Sequence, residues 1–160
     1  MNYEIVTLEE KLVMGISART NNHAPDMESV IGELWSLFYQ GGIYESISDQ
    51  ADGKAIGLYT DYSGKADDDY TAMVCCAVKQ KPEKPKYEVR RISAGRYAKF
   101  VLVGDMRTSI QMVAKAWQEI WEMDLPRAFV SDFEEYQNDN SECAEIHLYI
   151  GLKEEQKREV

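Results

Sequence analysis

Apolar and polar positions in the first half of the chain alternate or cluster over strand lengths. The strand-like segments cover residues 3–8, 11–17, 54–60 and 71–78. The polar pair Glu9-Glu10 between the first two predicts one strand with a bend, and the turn-forming residues 61–70 between the last two predict a hairpin. This half of the chain is therefore expected to begin and end in extended structure.

Between these strands, one segment instead shows helical spacing. Its apolar positions are Ile31, Leu34, Trp35 and Phe38. Pro25 and Asp26 suit the start of a helix, and the pair Gly41-Gly42 suits its end. The first half is predicted as strand, helix, strand, strand.

The same order returns after residues 79–86, whose prolines and charges predict a solvated hinge. Extended segments precede a second helical pattern, and a second hairpin follows Leu125-Pro126. The second set of strands is predicted at 87–92, 97–103, 133–136 and 145–152. The apolar positions of the second helix are Ile110, Val113, Ala114, Trp117, Ile120 and Trp121.

The recurring order predicts an α+β fold built as a tandem repeat of two β-α-β-β units. Trp35 and Trp117 lie 82 positions apart, and Tyr3 and Tyr87 lie 84 apart. Two such units related by a pseudo-twofold axis leave a groove between them. We expect one domain over residues 1–160, with pseudo-repeats at about 1–78 and 87–152, the hinge at 79–86 and a solvated tail at 153–160.

Composition and charge narrow the possible functions. The chain has 160 residues, of which 44% are hydrophobic, so it can form a core, and its net charge of −10 opposes direct binding to nucleic acid or anionic lipid. The start at Met1 lacks the basic and apolar regions of a signal peptide, and no apolar run approaches the length of a transmembrane helix. We expect a cytoplasmic protein with no membrane partner.

The sequence contains no motif for binding a metal ion or a cofactor. Cys75, Cys76 and Cys143 make an odd count, and adjacent cysteines on a strand point to opposite faces, so reduced thiols are expected. His23 and His147 stand apart from residues that would complete a zinc site. The sequence predicts neither a metal site nor a cofactor.

The second half resembles the GyrI-like family of small-molecule-binding domains. The matching segments, in family order and spacing, are Trp-Gln-Glu-Ile-Trp at 117–121, Leu-Pro at 125–126, Phe-Glu-Glu-Tyr at 133–136 and Glu-Ile-His-Leu-Tyr-Ile at 145–150. The first half is similar to the family at 31–35, 55–59 and 72–78. The resemblance covers residues 3–152.

This resemblance implies a curved antiparallel sheet with two main helices and a ligand groove between the halves. Such domains are the effector-binding parts of multidrug-responsive bacterial transcription regulators, and free-standing relatives exist. Here Met1 lies two residues before the first predicted strand, so we expect the free-standing form. A separate regulator protein is then a candidate partner, beside a hydrophobic or cationic small molecule.

Glu134 is the leading candidate for the ligand site. Strand alternation places Glu134 and Tyr136 on one face and Phe133 and Glu135 on the other, and the pattern leaves open which face forms the groove. The resemblance selects Glu134, because relatives keep a carboxylate at this place inside an aromatic pocket. It also implies that Tyr149 is a pocket tyrosine, and Glu135 is expected to face solvent.

A carboxylate in an aromatic pocket favours a lipophilic cation, because an isolated buried charge is costly without a partner. The aromatic side chains predicted to line the pocket are Tyr59, Tyr136, Tyr149, Trp35 and Trp117. For the tryptophans the alternative is a core position, and Trp121 is expected in the core.

Two functions from different classes can be argued from these residues; a third, inhibition or protection of a protein target by the acidic surface, follows some members of the family and has no motif here. The favoured one is a stand-alone binding module without catalytic residues. The alternative is a hydrolase of strained electrophiles, in which Glu134 acts as general base and the hydroxyl of Tyr59 or Tyr149 orients water or protonates the leaving group.

Overall fold

The computed structural model describes residues 1–65, 67–107 and 111–154. Its elements are β1 (Glu4–Leu8), β2 (Lys11–Thr20), α1 (Met27–Tyr39), α2 (Ile43–Ser46), β3 (Gln50–Thr60), β4 (Tyr70–Val78), β5 (Glu88–Ile92), β6 (Gly95–Gly104), α3 (Met112–Glu122), β7 (Arg127–Tyr136) and β8 (Ala144–Leu152). Ile110, predicted in the second helix, and most of the predicted tail lie outside the described residues.

The eight strands form one antiparallel sheet in the order β1-β6-β8-β7-β3-β4-β2-β5, with β3 and β7 as the central pair. The sheet is symmetric about that pair. Corresponding strands start at similar offsets along the chain: 84 positions for β1 and β5 and for β2 and β6, 77 for β3 and β7, and 74 for β4 and β8. The predicted tandem repeat is confirmed.

The sheet curls into a half-barrel, and two connections of two residues each require this curl: Glu9-Glu10 between β1 and β2, and Ser93-Ala94 between β5 and β6. β1 and β2 are joined only by Glu9 and Glu10, although β1 is the first strand in the sheet and β2 is the seventh. In a flat sheet six strand spacings would separate them by about 29 Å, whereas the connection reaches about 11 Å. The predicted single bent strand is therefore wrong: the chain makes two strands in distant positions of the sheet.

The two main helices cover the outer strands of one face and leave the central pair between them. α1 packs over β2 and β4, where it buries Leu34 and Phe38. α3 buries Ala116 and Ile120 against an apolar cluster of β6 and β8. Trp121 is 44% exposed, so its predicted core position is wrong; successive helix residues are turned by about 100°, which takes Trp121 away from the face of Ile120.

The opposite face of the sheet has an apolar cluster of its own. Its buried members are Val13, Ile56, Leu58, Met73, Cys75, Ile92, Tyr97, Phe133 and Tyr149. This cluster lies inside the curl and joins residues of both repeats. No helix in the described ranges is long and apolar enough to span a membrane.

Both central strands carry an irregularity at equivalent positions of the repeat. The register shifts between Gln50 and Ala55 in β3, and between Arg127 and Asp132 in β7. Phe129 inside the second bulge has a φ of 54°, a conformation uncommon for a bulky residue. Because the bulge breaks the two-residue period, the sequence pattern predicted only the part of β7 from residue 133 onward.

Candidate ligand-binding groove

The floor of the groove is centred on the pair Gly57 and Glu134, which face each other across β3 and β7. A Cβ atom on residue 57 would lie 2.5 Å from Oε1 and 2.9 Å from Cγ of Glu134. Real Cβ contacts do not come this close, so the side chain of Glu134 can cross β3 only because residue 57 is glycine. The local sequence thus makes room for a carboxylate at the symmetry axis.

Glu134 is 3% exposed and is held by hydrogen-bond donors. The hydroxyl of Tyr59 donates to Oε1 at 3.0 Å, and Nε1 of Trp117 donates to Oε2 at 3.4 Å. The hydroxyl of Tyr136 donates to the same carboxylate. Among the described residues, none of the lysine or arginine ion pairs involves Glu134.

Burial raises the pKa of Glu134 to about 7, against the lowering effect of the hydrogen bonds from Tyr59, Trp117 and Tyr136. The pKa values of the Tyr59 and Tyr136 hydroxyls lie well above 10, first because of burial and then because of the nearby Glu134 charge. The tyrosines therefore remain donors at neutral pH, while Glu134 changes its charge there.

Aromatic rings from both helices stand beside this carboxylate. Trp117 of α3 meets the edge of Tyr59 with ring centroids 5.3 Å apart, and Trp35 of α1 meets Tyr136 in the same way at 5.1 Å. Each helix thus contributes one tryptophan and each central strand one tyrosine. The structure brings together five of the six residues predicted for the site.

Tyr149 is not brought to this cluster. It is paired with Phe133 in the register of β7 and β8, so the two side chains share a face, and their rings stack with centroids 4.7 Å apart. Phe133 and Glu134 are consecutive strand residues and point to opposite faces. Tyr149 therefore lies on the far side of the sheet from Glu134.

Glu135 is buried, and the prediction that it faces solvent is wrong. It is 5% exposed, and Nζ of Lys11 donates to its Oε2 at 2.6 Å. Burial by itself would raise its pKa, but hydrogen bonds from Lys11 and Gln137 and the charges of Lys11 and Lys54 lower the pKa overall. The curl of the sheet brings β2 and its lysine over this face.

A third buried carboxylate lies on β7, and the sequence analysis did not predict it. Asp132 has 0% exposure, and its Oδ2 accepts hydrogen bonds from Nη2 of Arg127 at 2.8 Å and from the Tyr62 hydroxyl at 2.6 Å. The backbone N–H of Gly151 donates to Oδ1 at 2.8 Å. Strand alternation from Glu134 could have found Asp132, but its arginine comes from beyond the bulge.

The described part of the chain has no group of three or more His, Cys, Asp or Glu side chains placed to hold a metal ion. The three buried acids of β7 lie instead in separate hydrogen-bonded settings. Asp132 and Glu135 each have a cationic partner, and Glu134 has only neutral donors.

A family model described as Cass2, integron-associated effector binding protein, matches residues 4–152. The chain belongs to the Cass2 family. This match confirms the resemblance to small-molecule effector-binding domains that residues 3–152 show. None of the curated protein sequences matches this Cass2-family chain at a significant level.

Several solved structures share the fold of this Cass2-family chain. An integron cassette protein from the mobile metagenome of Vibrio cholerae is 26% identical, with a TM-score of 0.68 over 92% of this chain and 95% of the other. SAV2435, solved with bound tetraphenylphosphonium, is 18% identical, with a TM-score of 0.73 over 94% of each chain. A Staphylococcus aureus MU50 protein named for transcription regulation is 18% identical, with a TM-score of 0.70 over 94% of this chain and 99% of the other.

Proposed function

We propose that this protein binds lipophilic aromatic cations in the groove between α1 and α3, with Glu134 as the counter-ion and Tyr59, Tyr136, Trp35 and Trp117 as the aromatic walls. The observation that carries the proposal is the state of Glu134. It is the one buried acid of β7 that has no cationic partner among the described residues.

The charge of a bound cation would compensate the cost of ionising Glu134. That cost is visible in the pKa of about 7, which burial raises from its ordinary value. Aromatic side chains add about 0.5–2 kcal/mol for each close contact with a cation, and flat rings tolerate many ligand shapes. Glu134 would therefore select the charge of the ligand, and the rings would select apolar bulk.

The fold relatives support this ligand class. SAV2435 shares the fold and was solved with tetraphenylphosphonium, a cation that carries four aromatic rings. Effector binding is also the property that names the Cass2 family.

The test uses three probes of similar ring chemistry and different charge: tetraphenylphosphonium, tetraphenylborate and neutral triphenylphosphine oxide. Calorimetry or tryptophan fluorescence should show that the cation binds and that the anion of the same shape does not. In Glu134→Gln the affinity for the cation should fall about tenfold or more. The affinity for the neutral probe should stay the same or rise, because the variant has no carboxylate to desolvate.

Glu135→Gln is the matched control, since it makes the same chemical change one residue along β7 on the opposite face. It should change the affinity for each probe by less than about twofold, because Lys11 and not a ligand neutralises Glu135. Equal losses for the cation and the neutral probe in Glu134→Gln, or a larger loss in Glu135→Gln, would contradict the proposal.

Hydrolysis of strained electrophiles has one observation in its favour. The Tyr59 hydroxyl donates to Glu134 at 3.0 Å, so a carboxylate with a pKa of about 7 stands beside a proton donor. Turnover of an aromatic epoxide that is lost in Glu134→Gln would support this activity. Binding of the epoxide without turnover would support the binding function and contradict the hydrolase activity.

A regulatory role would need a second protein, because the net charge of −10 opposes direct contact with DNA. The fold similarity to a Staphylococcus aureus protein named for transcription regulation supports such a role. Recovery of a DNA-binding protein with the tagged chain, dependent on tetraphenylphosphonium, would test it.

A further inference from the structure

We propose that Asp132 marks a second cation subsite, which Arg127 occupies from within the chain, so that the groove is restricted to ligands with a single positive charge. This inference rests on the proposed function for its consequence, but the subsite itself can be measured independently. Arg127 would then be a specificity-determining residue.

The two carboxylates lie in one row on the groove face. Asp132 and Glu134 are two residues apart on β7, so their side chains share a face and their attachment points stand about 7 Å apart. Both are buried, and a tyrosine hydroxyl donates to each of them, Tyr62 to Asp132 and Tyr59 to Glu134. They differ in their cation: Asp132 has Arg127, and Glu134 has no cationic partner within the described ranges.

Arg127 is bound in the way proposed for a ligand. Its guanidinium carbon lies 4.4 Å from the centre of the Phe129 ring, and its Nη2 donates to Asp132. The rings of Phe129 and Tyr62 meet edge to face at 5.7 Å. A carboxylate, an aromatic face and a tyrosine hydroxyl thus surround a cation supplied by the protein.

Two features indicate that this arrangement suits a cation in general and is not specific to arginine. Phe129 keeps its ring over the guanidinium at a φ of 54°, and such a conformation persists where the surroundings demand it. Nε of Arg127 is buried without a hydrogen-bond partner in the described part of the chain, so the subsite does not satisfy the whole guanidinium.

A cavity of about 400 Å³ adjoins the outer side of the subsite, where Tyr62 and Phe129 line it together with Arg90 and Arg91. A ligand with two positive charges about 7 Å apart would match the two carboxylates in spacing, but in the native protein its second charge meets Arg127. A neutral residue at position 127 would leave Asp132 free to bind that charge.

The main test compares the native protein with Arg127→Gln. The probes are tetraphenylphosphonium and a bis-quaternary ammonium with aromatic substituents and nitrogens about 7 Å apart. In the native protein the dication should bind no better than the monocation. In Arg127→Gln the dication should gain about tenfold or more, because like-charge repulsion is replaced by attraction, while the monocation, which has no charge at the subsite, should gain only about threefold.

The double variant Arg127→Gln/Asp132→Asn is the control, since it removes both charges of the pair and so leaves no unpaired charge at the subsite. It should bind the monocation as the native protein does and should lose the gain for the dication. An equal gain for both probes in Arg127→Gln, or a dication gain that persists in the double variant, would overturn the proposal.

Ethylguanidinium measures the subsite without any ligand at Glu134. It should raise the melting temperature of Arg127→Gln and leave that of the native protein and of the double variant unchanged. No effect on a folded Arg127→Gln would overturn the subsite, whereas failure of tetraphenylphosphonium to bind the native protein would overturn the proposed function instead.

If Arg127→Gln does not fold even with ethylguanidinium, Asp132→Asn provides the test of the subsite. This variant keeps the cation of Arg127 without its partner, so the affinity for tetraphenylphosphonium should fall by about threefold or more while the double variant binds normally. Unchanged affinity in Asp132→Asn would overturn the proposal.

Discussion

Glu134 and Glu135 are consecutive glutamates on β7, and both are buried. They differ in the charge of their neighbours, because they lie on opposite faces of the sheet. Glu135 meets Lys11 at 2.6 Å, and its pKa is lowered by that lysine and its neighbours despite burial. Glu134 meets only neutral donors, and burial raises its pKa to about 7. On one face the protein completes the ion pair itself, and on the other it leaves the carboxylate without a counter-charge.

The comparison shows that a fold can bury a carboxylate without supplying its counter-ion. A buried charge that is paired within the protein supports the structure, and one that is not paired reduces stability while the site is empty. Burying Glu134 without a cation is therefore a cost that a cationic ligand can remove. The following predictions are designed to break or sharpen this difference, from the largest expected effect to the smallest.

Glu134→Gln should make the protein more stable at alkaline pH. A raised folded pKa means that the contribution of Glu134 to stability is complete below its unfolded pKa near 4.5 and is lost as the pH rises through 7. A shift from 4.5 to about 7 corresponds to about 3 kcal/mol. Urea unfolding should show a variant-to-parent difference that grows by about this amount between pH 4 and pH 8, and a constant difference would contradict the buried, unpaired state.

The affinity for tetraphenylphosphonium should rise with pH. A cation favours ionised Glu134, and with a pKa of about 7 the ionised fraction grows about tenfold between pH 6 and pH 8. Calorimetry at these two pH values should show a corresponding change in Kd for the parent. Glu134→Gln should show a flat profile, and an equally steep one would assign the titration to another group.

Glu135→Gln should lower stability, with the opposite dependence on pH. A lowered folded pKa means that the stabilisation by Glu135 is present above its unfolded pKa and is lost as the pH falls through the folded pKa. Because Lys11 is partly exposed, solvent screening limits the expected loss at pH 7 to about 1 kcal/mol. Chemical unfolding at pH 7 and at pH 3 checks this, and a greater loss at pH 3 would refute the pairing.

Tyr149→Phe should have the smallest effect, below about twofold on the affinity for tetraphenylphosphonium. Its ring stacks on Phe133 on the face away from Glu134, and the variant keeps that ring. Tyr59→Phe is the paired variant, and it should raise the pKa of Glu134 further because a hydrogen bond that lowers it is removed. A larger affinity loss for Tyr149→Phe than for Tyr59→Phe would indicate that Tyr149 belongs to the ligand site.

Local patterns in the sequence were enough for the repeat, and the family resemblance selected the strand face that forms the groove. Helical spacing located α1 and α3, and the spacing of Trp35 and Trp117 indicated two equivalent units. Strand alternation placed Glu134 and Tyr136 on one face, and Tyr59 joins them in the structure. These features depend on the geometry of neighbouring residues, which the order of residues along the chain specifies directly.

Two of the wrong predictions involve partners distant along the chain. Glu135 was expected in solvent because Lys11, its partner, lies 124 positions away and reaches it only through the curl of the sheet. Tyr149 was expected beside Glu134, but the register of β7 and β8 aligns it with Phe133. A shift of register by one residue would reverse its face.

The sequence by itself determined the order of the elements, the alternation of faces along each strand and the acidic charge, because each follows from residues close together in the chain. The tertiary structure decided which buried carboxylate has a counter-ion. Arg127 reaches Asp132 by way of a bulge, Lys11 reaches Glu135 across the curled sheet, and Gly57 admits Glu134 at the axis of the repeat. Coulombic pairing depends on distance in space and on burial, and both exist only once the chain has folded.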